Sequence, residues 1–291
     1  MKKMKLIASL MAAAAVCMNM SDVNAQKYYE TLEYIIHDDK AVITGFEGNM
    51  QVLEIPAKID GKDVVEIREN AFFKCSSIKK VTVPETVTFI GHHAFFGCTS
   101  LEEIILSDNI ISIDEGCFSG CISLDKVILP DNLRVIEDKS FFNCKSLDDI
   151  VFPQKLEEIG DYAFANCGEL SEVTFYNNLM SIGEFSFFNC KKLEGVYIPD
   201  SVMSMGSCSF GYCEDMRKTI GNFKIKGNPE SLGRIYAESN NITFESSENK
   251  KSSKKSSGIP ALAVIASGAG LLFFQFLEKL KGFKRKYEYE C

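Results

Sequence analysis

The sequence predicts a β-rich solenoid with a parallel sheet, made of about seven 23-residue repeats between atypical opening and closing segments. Three observations carry this prediction. An aromatic and cysteine pentamer recurs as AFFKC at 71, AFFGC at 94, CFSGC at 117, SFFNC at 140, AFANC at 163, SFFNC at 186 and SFGYC at 209, always 23 residues on and with no insertion. After each pentamer the apolar residues alternate: in LDKVILP, Val127 and Leu129 alternate with Lys126 and Ile128, the period of a strand. Finally, a unit this short cannot bury its own apolar face, whereas stacked units can, each strand pairing in parallel with the next.

The segments follow in order. Residues 1–25 read as a secretory signal peptide, with Lys2, Lys3 and Lys5 ahead of an apolar run from Leu6 to Cys17 and small residues around Ala25. The mature chain then starts near Gln26. Residues 26–70 form an opening segment with a first divergent repeat, and 71–220 hold the regular repeats. Within each repeat a strand ends at a proline such as Pro130, which cannot donate to a ladder. A second apolar pair (FIG, SID, VIE, EIG, SIG, SMG) leads to the next pentamer, and the return path is expected to consist of turns and brief strands. A strand spacing of ~4.8 Å makes the stack about 30 Å long. Residues 221–245 close the repeats, and 246–258 form a Ser/Lys linker expected to be flexible. Residues 259–277, IPALAVIASGAGLLFFQFL, carry no charge, and about 20 apolar residues cross a bilayer, so they predict a transmembrane helix. With the body exported, residues 278–291 become a cytoplasmic tail.

The motif A-F-x-x-C-x-S-L-x-x-I-x-I-P at this spacing resembles the leucine-rich repeats of BspA-like bacterial and protist surface proteins, over about residues 55–245. Residues 41–72 look like that family's opening segment. GNPESLGRIYAESNNITFE (227–245) looks like its closing segment, in which a short helix with Tyr236 and Ala237 covers the last rung. Ser107 and Tyr176 depart from the pattern by replacing the strand-ending proline. The resemblance implies a leucine-rich-repeat solenoid at the cell surface that binds other proteins in adhesion to a host or to neighbouring cells. The alternative is a structural role in the cell envelope.

Nothing in the residues argues for an enzyme or for a cofactor. A net charge of −8 argues against nucleic acid, and three histidines leave little material for general bases or metal sites. The column Cys75, Cys98, Cys121, Cys144, Cys167, Cys190 and Cys213 lacks the short paired spacing of zinc ligands and reads as buried packing against the Phe column. Cys117 and Cys208 sit in neighbouring slots, where they either pair locally or stay free. His92 and His93 share a turn and point apart, and adjacent carboxylates such as Asp148 and Asp149 fall on opposite faces of a strand. No glycine-rich phosphate loop or nucleophile elbow is present in the repeats.

What remains is a surface. One outward column runs Lys80, Glu103, Lys126, Asp149, Glu172, Gly195, Lys218, and the next runs Thr82, Ile105, Ile128, Val151, Thr174, Tyr197, Ile220. Such a stripe reads equally as a partner-binding face and as the ordinary preference of β-branched residues for a parallel sheet. Read as a binding face, its residues are Glu103, Ile105, Lys126, Ile128, Asp149, Val151, Glu172, Thr174 and Tyr197. The expected partners are extracellular matrix or cell-surface proteins, with the C-terminal helix holding the chain in the membrane.

Overall fold

The structure, a computed structural model, describes residues 31–247. The expected signal peptide, membrane helix and tail, and nearly all of the linker, lie outside the described residues. Among the described residues no helix is long and apolar enough to cross a membrane.

The chain coils into rungs, and three hydrogen-bonded ladders run along the stack. The first is the parallel sheet read from the alternating pattern: Val52–Glu54, Lys80–Thr82, Glu103–Ile105 and Lys126–Ile128 pair in register. The inward residues Leu53, Val81, Ile104 and Val127 are buried. The second ladder arises from the second apolar pair, where Ser112–Ile113, Val135–Ile136, Glu158–Ile159, Ser181–Ile182 and Ser204–Met205 pair in parallel. The pentamers make the third. The Phe95 N–H donates to the Cys117 carbonyl, Phe118 to Ser140, Phe141 to Ala163 and Phe164 to Ser186.

The fourth pentamer letter requires a left-handed backbone. Gly97, Gly120, Asn143, Asn166 and Asn189 take φ of 68, 76, 62, 65 and 61°, a region that glycine and asparagine enter most readily. The second pentamer letter points inward. Phe72, Phe95, Phe118, Phe141, Phe164, Phe187 and Phe210 are all buried and stack with centroids 4.7–5.5 Å apart, forming the spine of the core.

Both ends are covered. The antiparallel strands Leu32–His37 and Lys40–Phe46 pair onward to Lys62–Ile67 and bring Phe46 to 5.7 Å from Phe72. At the far end α1 (Leu232–Ser239) buries Tyr236 and Ala237. The Tyr236 hydroxyl accepts from the Phe210 N–H at 3.0 Å and donates to the Phe210 carbonyl at 3.1 Å, which satisfies both backbone groups of the last ring in the spine.

The structure departs from the sequence reading in three places. In the seventh pentamer the fourth letter is Tyr212, and Gly211 takes the left-handed position instead, at φ 77°. The ladder slips by one residue in consequence: Asn189 donates to the Tyr212 carbonyl, where the regular register would use residue 211. Next, Tyr212–Cys213 and Asp215–Thr219 form an antiparallel pair, and the sheet resumes at Lys224–Gly227, which pairs with Gly195–Ile198. Lys224 and Lys226 therefore stand beside Gly195 and Tyr197, the positions that a constant step assigns to Lys218 and Ile220. Third, the sheet is not continuous. Between Lys126–Ile128 and Gly195–Ile198, the only pairing among the described residues is a single parallel bridge, Asp149 to Glu172. Phe152 and Phe175 take the inward positions that Val83, Leu106 and Leu129 hold on the earlier rungs, and their rings stack 5.4 Å apart. Two carboxylates also face each other across the bridge.

Candidate interaction surface

The outward side of the sheet is the candidate site. Glu103 pairs with Lys126 and Ile105 with Ile128 in direct register, Asp149 bridges to Glu172, and Tyr197 stands beside Lys226. The geometry thus brings these expected residues into neighbouring pairs. Val151 and Thr174 follow two residues after Asp149 and Glu172, on rungs without further pairing. Glu103 and Ile105 are half-buried, while Lys126, Asp149, Glu172 and Thr174 are exposed. Val151 is 71% exposed, more than any other large apolar residue described, and Ile128 and Tyr197 are 44% and 42% exposed.

In the first rungs the charges compensate one another. Lys126 and Lys80 both reach the Glu103 carboxylate, at 2.7 and 2.8 Å, and these hydrogen bonds, Lys126 first, hold its pKa below the usual range. Lys79 meets Glu102 at 2.8 Å in the adjacent column. These exposed pairs fix side-chain positions more than they stabilise the fold.

The cysteine column runs along the pentamer ladder. The thiols of Cys98, Cys121, Cys144, Cys167 and Cys190 donate to the carbonyls of Phe72, Phe95, Phe118, Phe141 and Phe164, at 3.0–3.2 Å. The donor is always 26 residues after its acceptor, a regularity that sequence reading missed because it needs the rung geometry. Burial pushes the Cys121, Cys144, Cys167 and Cys190 thiols up, Cys167 to about 12, so they stay neutral and unreactive. Cys117 is buried and Cys208 half-buried, and both are free thiols.

His92 is exposed, with Nε2 3.8 Å from the Asp114 carboxylate, whereas His93 turns its ring edge to Phe96. Among the described residues no group of three or more His, Cys, Asp or Glu side chains is placed to hold a metal ion.

A stack of short parallel rungs with a cysteine and phenylalanine spine defines the leucine-rich-repeat class of solenoid. The chain belongs to the BspA type leucine rich repeat family, which it matches in six copies over residues 65–175 and 136–252. Among solved structures it is similar to the leucine rich repeat protein TpLRR of T. pallidum, at 35% identity over 61% of this chain and 84% of that one, with a TM-score of 0.58. It shares its fold with a leucine-rich repeat protein from Bacteroides ovatus ATCC 8483, at 22% identity over 75% of this chain and 66% of that one, also with a TM-score of 0.58. No curated protein matches the chain in sequence. Membership implies protein–protein interaction, and repeats of this class are typically non-catalytic.

Proposed function

We propose that this chain is a cell-surface protein that binds other proteins through the outward face of its sheet, in adhesion to a host matrix or to neighbouring cells. The observation that carries the reading is the unpartnered stripe of Ile128, Val151 and Tyr197 bordered by charged residues. Large exposed apolar side chains gathered on one face are the usual substrate of a protein interface, whereas scattered ones are ordinary. A solenoid sheet suits the task because its core depends on the inward letters and leaves the outward ones free to vary. The apolar run 259–277 and the leader 1–25 support export and anchoring of the body.

The test is binding of the purified chain to matrix proteins and, separately, to the envelope of its own organism. Saturable binding to matrix proteins, abolished by Ile128→Glu/Val151→Glu in a chain with an unchanged circular dichroism spectrum, is the expected result. Association with its own envelope alone would instead assign it to envelope structure. Retention on cells after deletion of 259–291 would overturn the anchor.

A further inference from the structure

The sheet face is not uniform, and its charge distribution says what kind of partner it takes. The first rungs neutralise themselves, as the Lys80–Glu103–Lys126 and Lys79–Glu102 contacts show. The next rungs do not. Asp125, Asp148, Asp149, Glu172 and Glu194 are all exposed, and among the described residues none has a cation within ion-pairing distance. Lys126 is committed to Glu103, and Lys145, three residues before Asp148, makes no ion pair with any of them. Asp149 and Glu172 stand directly opposite each other on their bridge, the arrangement in which like charges destabilise a sheet. On these same rungs the ladder loses its other pairs, and Val151, the most exposed large apolar side chain described, lies two residues from Asp149 and so on the same face.

We propose that these rungs dock a basic, extended segment of a partner protein that carries an apolar side chain. The inference rests on the reading that the sheet face binds protein. Arginine or lysine from the partner meets Asp149 and Glu172 and relieves their repulsion, and an aliphatic or aromatic side chain between the cations covers Val151, which has Ile128 on the rung before it and Thr174 on the rung after. A guanidinium suits this spacing because its planar fork bonds two carboxylate oxygens at once. The net charge of −8 favours encounter with a basic partner. A divalent cation fits poorly, since the described acids are not gathered into a chelating group. A second copy of this chain packed face to face would set the same acids against themselves.

The experiment uses the full chain in detergent and two fluorescent eight-residue peptides, one alternating arginine with phenylalanine and serine, the other with glutamate for arginine. The basic peptide is expected to bind and the acidic one not, with affinity falling between 0.05 and 0.5 M salt as exposed pairs are screened. Asp149→Asn/Glu172→Asn should weaken the basic peptide ~10-fold. Asp131→Asn/Glu184→Gln, which removes the same charge away from the face, should leave binding unchanged. The amide pair removes two exposed like charges and relieves their repulsion, so an unchanged or raised melting temperature confirms its fold. Equal binding of both peptides, an unaffected Asn/Asn variant, an equal loss in the control, or displacement by micromolar calcium at matched ionic strength would each overturn the proposal. Matrix binding separates the two readings. Sensitivity to Ile128→Glu/Val151→Glu without sensitivity to Asn/Asn keeps the sheet-face reading and discards the basic partner; insensitivity to both discards both.

Discussion

The first letter of the pentamer shows how little a single slot tolerates. Ala71, Ala94, Cys117, Ser140, Ala163, Ser186 and Ser209 fill it in turn, all buried. The Ser140 hydroxyl donates to the Glu137 carbonyl at 2.6 Å, whereas the Ser186 hydroxyl has no partner. Ser186→Ala should therefore stabilise the protein by about 1 kcal/mol, and Ser140→Ala should cost about 1 kcal/mol, because a buried hydroxyl is worth keeping only when it is bonded. Denaturant unfolding of the two variants measures the opposite signs. The thiols divide in the same way by environment. Under native alkylation Cys75, Cys208 and Cys213, which are half-buried, should be modified first, while the five carbonyl-bonded cysteines stay protected until the chain unfolds. Mass measurement over time reads the order, and early loss of Cys144 would contradict it. The packing role of this column was legible in the sequence because seven evenly spaced cysteines make no ligand set. Its acceptors were not, since position 26 upstream has no meaning until rungs are stacked.

At the scale of the element, the turn after the second apolar pair decides how closely rungs approach. A Cβ at Gly183 would fall 2.4 Å from the Gly160 carbonyl carbon and 2.5 Å from the Asp161 nitrogen, both rigid backbone. Gly183→Ala should cost about 1–3 kcal/mol through displaced backbone, read as a lower denaturation midpoint. Two rungs break the glycine pattern by carrying Asp114 and Glu137 there, and carboxylates gather around them. Burial, then Glu158, Asp114 and Asp138, raise Glu137 from 4.5 to about 7, and burial raises Asp114, Asp138 and Glu158 in the same direction. A raised carboxyl binds more protons folded than unfolded, so its effect on stability falls as pH rises from about 4.5 to about 7. Melting temperature should accordingly be higher at pH 5 than at pH 8, and Glu137→Gln should flatten that slope; the effect is small because the Glu137 side chain meets solvent. Alternation such as Lys126–Val127–Ile128 made the strands legible. The interruption of the sheet on either side of the Asp149–Glu172 bridge was not, because the letters of those rungs alternate like the rest.

At the scale of the whole molecule, the fixed step from Ala71 to Ser209 made the solenoid legible at once, and the divergent ends followed from the need to cover a stack. The six extra residues between the sheet positions at Gly195 and Lys224 stayed hidden because the pentamer keeps its step while the segment beyond it does not. The candidate face was half legible: the outward letters could be named, but their exposure and the missing cations came only with the rungs in place. The ladders also set how the chain answers force. Nearly every bond that joins one rung to the next lies along the stack, so tension applied between the two ends loads these bonds one rung after another rather than all together. A molecule held at one end and pulled at the other should peel like a zipper, paying out about 75 Å of chain per 23-residue rung, read as an even sawtooth in single-molecule stretching. The Tyr236 clasp on Phe210 and the Leu32–Phe46 hairpin then act as the catches that set the force at which peeling begins.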